Sequence, residues 1–361
     1  MSPIGNARAR RRRVPLLAFA AAGALAVSAC GDAPTGTFNT GAGYTLESAD
    51  IPVSICPEDD ETRLAEDEGT LIGPHFALRV DCVAAFEEIP EDFEVEYLLG
   101  EDVSLFPPPE GHEFVLVQFA PDPGAEARFH VDGQTDLTAS LTVGEHEWSF
   151  DGEVPAPGSA YFAVAEQDAP ISLSVDDTGR VQSIDLRERT REGLIESLYH
   201  GSRHTITTDP VENDVSARKV QGDYEYTLDR WTYTTAFVVD RSVYNENEGW
   251  LAENDRARLT IDFVWWRESS EQQLIWDIDP EEALVVSGPD GELTATGVDS
   301  YDEEWENGEI ERYFTLTYDV PADALAFDLS FHPTGVIEWG EHDVDMDISG
   351  DKTHDLSVDF T

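Results

Sequence analysis

The chain has little positive charge. Its 361 residues include 75 Asp or Glu and only 22 Lys or Arg, for a formal net charge of −53. Lys219 and Lys352 are the only lysines. Because so anionic a surface repels phosphate backbones, the composition argues against a DNA or RNA partner.

Motifs that mark common active sites are also missing. The sequence contains no G-x-S-x-G nucleophile elbow, no P-loop and no G-x-G-x-x-G loop. Acidic residues are so abundant that a pair of carboxylates for glycoside hydrolysis could be chosen at many places, and such a pair is therefore no evidence for that activity. A soft copper site is disfavoured because Met346 is the only methionine besides Met1. We therefore predict a protein that is not an enzyme, with a glycan-active enzyme as the least favoured reading.

Apolar residues are plentiful enough for a folded protein. The composition is 40% hydrophobic and 10% aromatic, which excludes a disordered chain. The length predicts two domains, or one large domain with tails.

The N-terminus has the features of an export signal. Arginines dominate residues 8–13, an apolar stretch covers 14–27, and the segment ends in Val27-Ser28-Ala29-Cys30. The apolar stretch is too short to span a bilayer, and the small residues that follow it are typical of the cleavage site of a secretory signal. The four-residue ending resembles the lipobox of bacterial lipoproteins, which implies lipidation of Cys30 after removal of residues 1–29. An ordinary secretory signal is the alternative.

Lipidation would fix the address of the protein. Two acyl chains on Cys30 suffice for stable anchoring, which predicts a location on the outer face of the cytoplasmic membrane. Residues 30–50 are rich in Gly, Thr, Ser and Ala. We predict a flexible tether there, with a root-mean-square span of about 25 Å.

Besides Cys30, which the lipobox assigns to lipidation, the chain has two cysteines, Cys56 and Cys82. An even pair in an exported protein predicts a disulfide. Closing a loop of this length would stabilise the fold by about 3.5 kcal/mol in the loop-entropy model. A metal-binding pair is the alternative, but no histidine lies at zinc-like spacing from either cysteine.

The mature chain has the pattern of an all-β protein. Short segments rich in Val, Thr and aromatic residues alternate with Gly, Pro and Asp, which is typical of β-sandwiches. The clearest predicted strands are 113–119, 137–143, 160–164, 232–239, 259–266 and 313–318. A helical pattern occurs once, at 190–200. We place sandwich domains at 51–200 and 217–361, joined by a linker at 201–216.

An internal repeat supports two related domains. The pattern V-P-A-x-x-x-A-aromatic occurs at 154–161 and again at 320–327, each time before a predicted strand. Together with the lipobox and tether, this element resembles the immunoglobulin-like (telokin-like) domains of actinobacterial surface lipoproteins. The resemblance implies two tandem immunoglobulin-like sandwiches and an extracytoplasmic address, but no activity. The sequence departs from antibody domains, since no tryptophan lies between Cys56 and Cys82.

Tryptophans are the first candidate ligand-binding residues. Most of them lie beyond residue 230, and adjacent Trp265 and Trp266 must point to opposite faces of a strand. An exposed one would offer a platform for a sugar or a protein. We therefore predict a binding module for a protein or wall polymer, with Trp265, Trp266 and Trp305 as the residues to test.

Acidic clusters support a second hypothesis, a structural protein that binds calcium. Carboxylates at 299–311, or the alternating Asp343, Asp345 and Asp347, could supply the oxygens that calcium prefers. The alternating set also fits a strand whose acids face water, and it lacks the glycine of a calcium loop. Apart from calcium, the sequence predicts no cofactor.

The acid-rich, lysine-poor composition also resembles that of proteins adapted to high salt. Salt screens the repulsion that opposes compaction of so anionic a chain. We therefore expect the thermal unfolding temperature to rise between low salt and molar salt. A temperature that stays constant or falls would contradict adaptation to a saline habitat.

Overall fold

A computed structural model describes residues 36–38, 41, 43–48, 51, 54–56, 61–89, 103–105, 107–124, 136–200, 205–269, 273–306 and 308–361. Elements of the first half, in chain order, are β1 (Gly36–Phe38), β2 (Thr45–Ser48), α1 (Glu66–Gly69), β3 (Thr70–Ile72), β4 (Ala77–Phe86), β5 (Val103–Leu105), β6 (His112–Phe119), β7 (Leu137–Val143), β8 (His146–Asp151), β9 (Ala160–Glu166), β10 (Ile171–Asp177), β11 (Arg180–Asp185), β12 (Thr190–Glu192) and a 3₁₀ turn (Glu196–Leu198). Elements of the second half are β13 (Thr205–Thr207), β14 (Val211–Gln221), β15 (Tyr224–Thr235), β16 (Val238–Ser242), β17 (Tyr244–Asn245), β18 (Gly249–Trp250), β19 (Arg256–Ser269), β20 (Leu274–Ile278), α2 (Pro280–Ala283), β21 (Leu284–Gly288), β22 (Gly291–Glu292), β23 (Gly297–Glu304), β24 (Ile310–Pro321), β25 (Ala326–Phe331), β26 (Gly335–Trp339), β27 (Val344–Gly350) and β28 (His354–Asp359). The predicted all-β sandwich class is confirmed.

The first half packs two five-stranded sheets face to face. Their strand orders are β2-β9-β6-β4-β3 and β12-β11-β10-β7-β8. Strand β6 is almost continuously apolar, because it is buried on both of its faces. Val115 and Val117 face the second sheet, while Phe114 and Leu116 pack in a smaller cluster on the other side.

The segment that covers this smaller cluster includes Ile51, Ile55 and Cys56. A disulfide joins Cys56 to Cys82 of β4, across a separation of 26 residues, so the predicted pairing is confirmed. The predicted tether is too long, because its residues 45–48 form β2 and pair with β9. Cys30 and the signal peptide lie outside the described residues.

The second half is built on a ten-stranded sheet that curls into a half-barrel. A four-stranded sheet, ordered β22-β21-β25-β28, packs on it. Phe237, Phe263, Phe314 and Phe331 lie in the core that the two sheets share. The predicted linker is wrong in its later part, because β13 and the start of β14 are strands of the large sheet.

Side chains of the two halves interlock. Ile72 and Leu198 of the first half belong to the hydrophobic core of the second. Trp250 donates from Nε1 to the carbonyl of Thr178 at 3.1 Å, and the guanidinium of Arg180 lies 4.3 Å from the centre of the Trp250 ring. These contacts form a joint between the halves.

The helix predicted at 190–200 is wrong. Residues 190–192 form β12, and only the 3₁₀ turn follows. Ile195 and Leu198 are buried, so the periodic apolar residues face a core although the backbone makes no α-helix. None of the helices in the described ranges is long and apolar enough to cross a bilayer.

Both copies of the V-P-A repeat are turns that precede a strand. In the first copy, Ser159 donates its backbone N–H to the carbonyl of Ala156, and β9 follows. In the second, Ala324 donates to the carbonyl of Pro321, and β25 follows. The repeat therefore marks a similar turn-to-strand element in each half.

Candidate functional site

Trp265 is not available to a ligand. Its side chain is fully buried, with ring centres 4.9 Å from Tyr233 and 5.9 Å from Phe331. The prediction that it could be a binding platform is therefore wrong. Its inward direction follows from the alternation of β19, which also buries Phe263 and Ile261.

Trp266 points to the opposite face of β19 but is partly buried. Three aromatic rings cover it, with centre-to-centre distances of 4.5 Å to Tyr233, 5.6 Å to Trp231 and 5.2 Å to Trp276. Tyr233 and Trp231 come from β15, which the half-barrel brings back towards β19. Trp266 therefore serves mainly to pack β15 against β19.

Trp305 is the predicted tryptophan that is truly exposed. It lies at the end of the hairpin formed by β23 and β24, and 51% of its surface is accessible. The turn is closed by its own backbone, since Trp305 N–H donates to the carbonyl of Glu309 at 2.8 Å. Strand β23 is exposed along nearly its whole length, so this strand presents side chains on both of its faces.

One face of the three strands β19, β24 and β23 has an ordered arrangement of aromatic and acidic residues. Antiparallel pairing aligns three rows across the strands: Asp262, Thr315 and Asp299; Val264, Tyr313 and Tyr301; Trp266, Glu311 and Glu303. Trp305 follows the third row. We call the residues of the three rows, together with Trp305, the aromatic–acidic face. A row of tyrosines is thus flanked on each side by carboxylates, about 7 Å away along the strands.

The aromatic side chains hold the carboxylates in place. The rings of Tyr301 and Tyr313 stack with their centres 4.9 Å apart and 5° between their planes. Glu311 accepts from Trp305 Nε1 at 3.0 Å and from the Tyr233 hydroxyl at 2.7 Å. Glu303 accepts from the Tyr313 hydroxyl.

These contacts shift the titration of the tyrosines. The pKa of Tyr313 is raised by partial burial, by its hydrogen bond to Glu303 and by the negative charges nearby. Burial and then the hydrogen bond to Glu311 raise the pKa of Tyr233 strongly. Both phenols therefore stay protonated at neutral pH and act as donors to the carboxylates.

The opposite face of the hairpin is charge-paired. Arg312 Nε donates to Asp302 at 2.7 Å, and Arg312 Nη1 lies 3.3 Å from Asp277. The hydrogen bond from Arg312 lowers the pKa of Asp302. The two faces of one hairpin thus differ, because within the part of the chain that the structure describes no cation pairs with the acids of the aromatic–acidic face.

The calcium candidates do not converge. Asp345 and Asp347 are exposed on β27 while Val344, Met346 and Ile348 are buried, and Asp343 lies before the strand. Asp347 lines a cleft of about 690 Å³ with four other acids: Asp277, Asp279, Glu281 and Glu282. Asp279 is occupied in capping α2. Among the described residues, no group of His, Cys, Asp or Glu side chains has the arrangement to hold a metal ion.

A cleft in the first half contains two histidines, His112 and His146. Their rings bind backbone carbonyls, His112 Nδ1 that of Glu110 at 3.3 Å and His146 Nε2 that of Val164 at 3.1 Å. The His112 ring thus bonds the loop before its own strand β6, and the His146 ring joins β8 to β9 of the other sheet, so both histidines serve the local structure.

Sequence reasoning missed the two tyrosines of the aromatic–acidic face. It treated residues 299–311 only as carboxylates for a cation. The alternation Tyr301, Glu303, Trp305 was visible in the sequence as one face of a strand. The pairing of Tyr301 with Tyr313 depends on the register of the hairpin, which the sequence pattern alone did not specify.

Comparisons with known proteins give little further information. No family model matches the chain, and no curated protein matches it. One similar solved structure is the crystal structure of the conserved domain protein from Bacillus anthracis, with 7% identity, 83% of this chain and 91% of that chain covered, and a TM-score of 0.18. A TM-score this low carries no argument about fold or function.

Proposed function

We propose that this protein is a lipid-anchored binding module displayed on the outer face of the cytoplasmic membrane, whose ligand is a protein or a wall polymer. The aromatic–acidic face is its binding surface. The observation that supports the proposal most strongly is the exposure of Tyr301 and Trp305, at 61% and 51%, beside carboxylates held by neighbouring side chains. Large aromatic residues on a rigid sheet provide contact area at small entropic cost.

The proposed location on the membrane depends on the N-terminal lipobox-like motif. Replacing Cys30 with serine removes the thiol that receives the lipid, so we expect the variant to lose acyl-chain incorporation and stable membrane association. Metabolic labelling with a radioactive fatty acid and membrane fractionation measure both properties. Equal labelling of the variant and the natural chain would exclude lipidation at Cys30.

Binding should depend on the exposed aromatic residues. We expect the double variant Tyr301→Ala/Trp305→Ala to bind its ligand at least about tenfold more weakly, as for aromatic hot spots in other interfaces. Co-sedimentation of the detergent-solubilised full chain with insoluble cell-wall polymer, and a peptide-array measurement, would test both ligand classes.

Tyr224→Ala is the matched control for this experiment. Tyr224 is a still more exposed tyrosine, at 72%, but lies on the β14–β15 hairpin instead. The control should bind like the natural chain. If the double variant, with an unchanged circular dichroism spectrum, also bound like the natural chain, the aromatic–acidic face would not be the binding surface.

A further inference from the structure

Apart from the Tyr301 hydroxyl, the side-chain hydrogen-bond donors of the aromatic–acidic face are largely occupied within the protein. The Tyr313 hydroxyl donates to Glu303, while Trp305 Nε1 and the Tyr233 hydroxyl both donate to Glu311. What the face offers to a ligand is mainly carboxylate oxygens and aromatic ring surfaces. A sugar hydroxyl needs both donors and acceptors, whereas guanidinium and ammonium groups are donors only. The hydrogen-bonding chemistry therefore favours a cation.

The charge of the face points the same way. Asp262, Asp299, Glu303 and Glu311 all lie on it, and none of these four forms an ion pair with another residue of the described ranges. Asp302, on the other face of the same hairpin, is already neutralised by Arg312. Exposed tyrosine and tryptophan rings attract cations through their π-faces. A cationic side chain would gain both interactions at once.

The spacing of the rows fits an extended chain. Carboxylates lie about 7 Å to each side of the tyrosine row, which is the distance between alternate residues of a strand. Within the described residues, β23 pairs only with β24, so its other edge is open to a further strand. A segment added at that edge would place every second side chain beside Asp299, Tyr301 and Glu303.

The same carboxylates argue against a second copy of this chain as the occupant. Two β23 edges would bring like charges together, and acidic residues on an edge strand discourage such self-pairing. A basic strand meets no such barrier. We propose that the aromatic–acidic face binds an extended segment of a partner protein with arginine or lysine at alternate positions. This inference rests on the proposed function and specifies the ligand of the same surface.

The test uses a synthetic octapeptide with alternating arginine and threonine, and a matched peptide with citrulline in place of arginine. Citrulline keeps the shape of arginine but removes its charge. Isothermal titration calorimetry with the full chain in detergent should show saturable binding of the arginine peptide and at least about tenfold weaker binding of the citrulline peptide. Equal binding of both peptides would overturn the proposal.

Two double variants separate this face from the general negative charge of the protein. Glu303→Gln/Glu311→Gln removes two charges from the face, whereas Glu338→Gln/Asp345→Asn removes two from a cross-strand pair on β26 and β27. We expect at least about fivefold weaker binding for the first and little change for the second. Equal losses for both would mean non-specific attraction and would overturn the proposal.

The outcome also separates this inference from the function on which it rests. Suppose that the natural chain bound cell-wall polymer, that Tyr301→Ala/Trp305→Ala lost this binding, and that the natural chain did not bind the arginine peptide. The proposed binding module would then be supported, and the proposed basic ligand would be wrong. If the aromatic variant changed neither measurement, both proposals would fail. Binding of the arginine peptide that is lost in the aromatic variant supports both.

Discussion

Replacing Trp265 with alanine should lower the free energy of unfolding by about 3–5 kcal/mol. The indole is fully buried in the core of the second half and packs against Tyr233, Trp266 and Phe331. Alanine would leave a cavity that the strands around it can close only in part, because a sheet resists local collapse more than a loop does. Urea unfolding followed by circular dichroism would measure the loss.

Two further variants show whether the loss comes from packing. Trp265 Nε1 is buried and has no hydrogen-bond partner among the described residues, so Trp265→Phe removes an unsatisfied donor while keeping a ring in the site. We expect Trp265→Phe to lose clearly less stability than Trp265→Ala. Trp305→Ala, at the exposed end of the hairpin, should change stability by less than about 1 kcal/mol. If the alanine variants at 265 and 305 were equally stable, the assignment of core and surface would be wrong.

Much of the fold was predictable because it depends on local alternation. Strand β27 shows this directly, since its acids face water and its Val344, Met346 and Ile348 face the core. The segments at 113–119, 137–143, 160–164, 259–266 and 313–318 all lie in strands. The prediction of one strand at 232–239 was wrong, because the chain leaves β15 after Thr235 and enters β16 at Val238.

The predicted boundaries of the tether and the helix were wrong because the composition of a segment does not show which distant strand or core it contacts. Residues 45–48 look like tether, yet they form β2 because β9 offers an unpaired edge. The periodic leucines near 194–198 indicate a helix, yet the two halves bury them without one. Long-range contacts decide both cases, and a local pattern contains no information about them.

The candidate site was predictable in part for a similar reason. Adjacent Trp265 and Trp266 had to face opposite sides of the strand. The sequence pattern did not show, however, that β15 would cover Trp266. Trp305 is exposed, as a binding platform requires, and its role in binding stays a prediction. The rows that surround it come from three strands, β19, β24 and β23, and exist only because those strands pair in one register.

A second large effect is expected at the joint between the halves. His75 Nδ1 lies 2.5 Å from Asp177 Oδ1, and both side chains are almost completely buried. The His75 backbone N–H also donates to Asp177 Oδ2 at 3.0 Å, and the imidazole lies edge-on to Tyr244 of the second half, with ring centres 4.9 Å apart. The pair therefore links β10 to the loop before β4 and supports a contact between the halves.

Replacing His75 with phenylalanine should lower the free energy of unfolding by about 3–5 kcal/mol. Phenylalanine fills the space and can keep the ring contact to Tyr244, but it leaves the Asp177 carboxyl group buried without its ring partner. Urea unfolding is the measurement. Loss of the Tyr244 contact alone would lower the free energy of unfolding by less. The size of the effect therefore identifies the buried Asp177 carboxyl group, left without its partner, as the cause.

The double variant His75→Phe/Asp177→Leu tests that cause, because it removes both polar partners together. Replacing a whole buried pair with apolar residues is often much less costly than removing one partner, so the double variant should be more stable than His75→Phe alone. Arg218→Gln is the surface control, since the ion pair of Arg218 with Glu225 is well exposed and should contribute less than about 1 kcal/mol. A double variant less stable than His75→Phe would show that the pair does not act through burial of Asp177. If His75→Phe matched the surface control, the interlocked joint would contribute little to the stability of the fold.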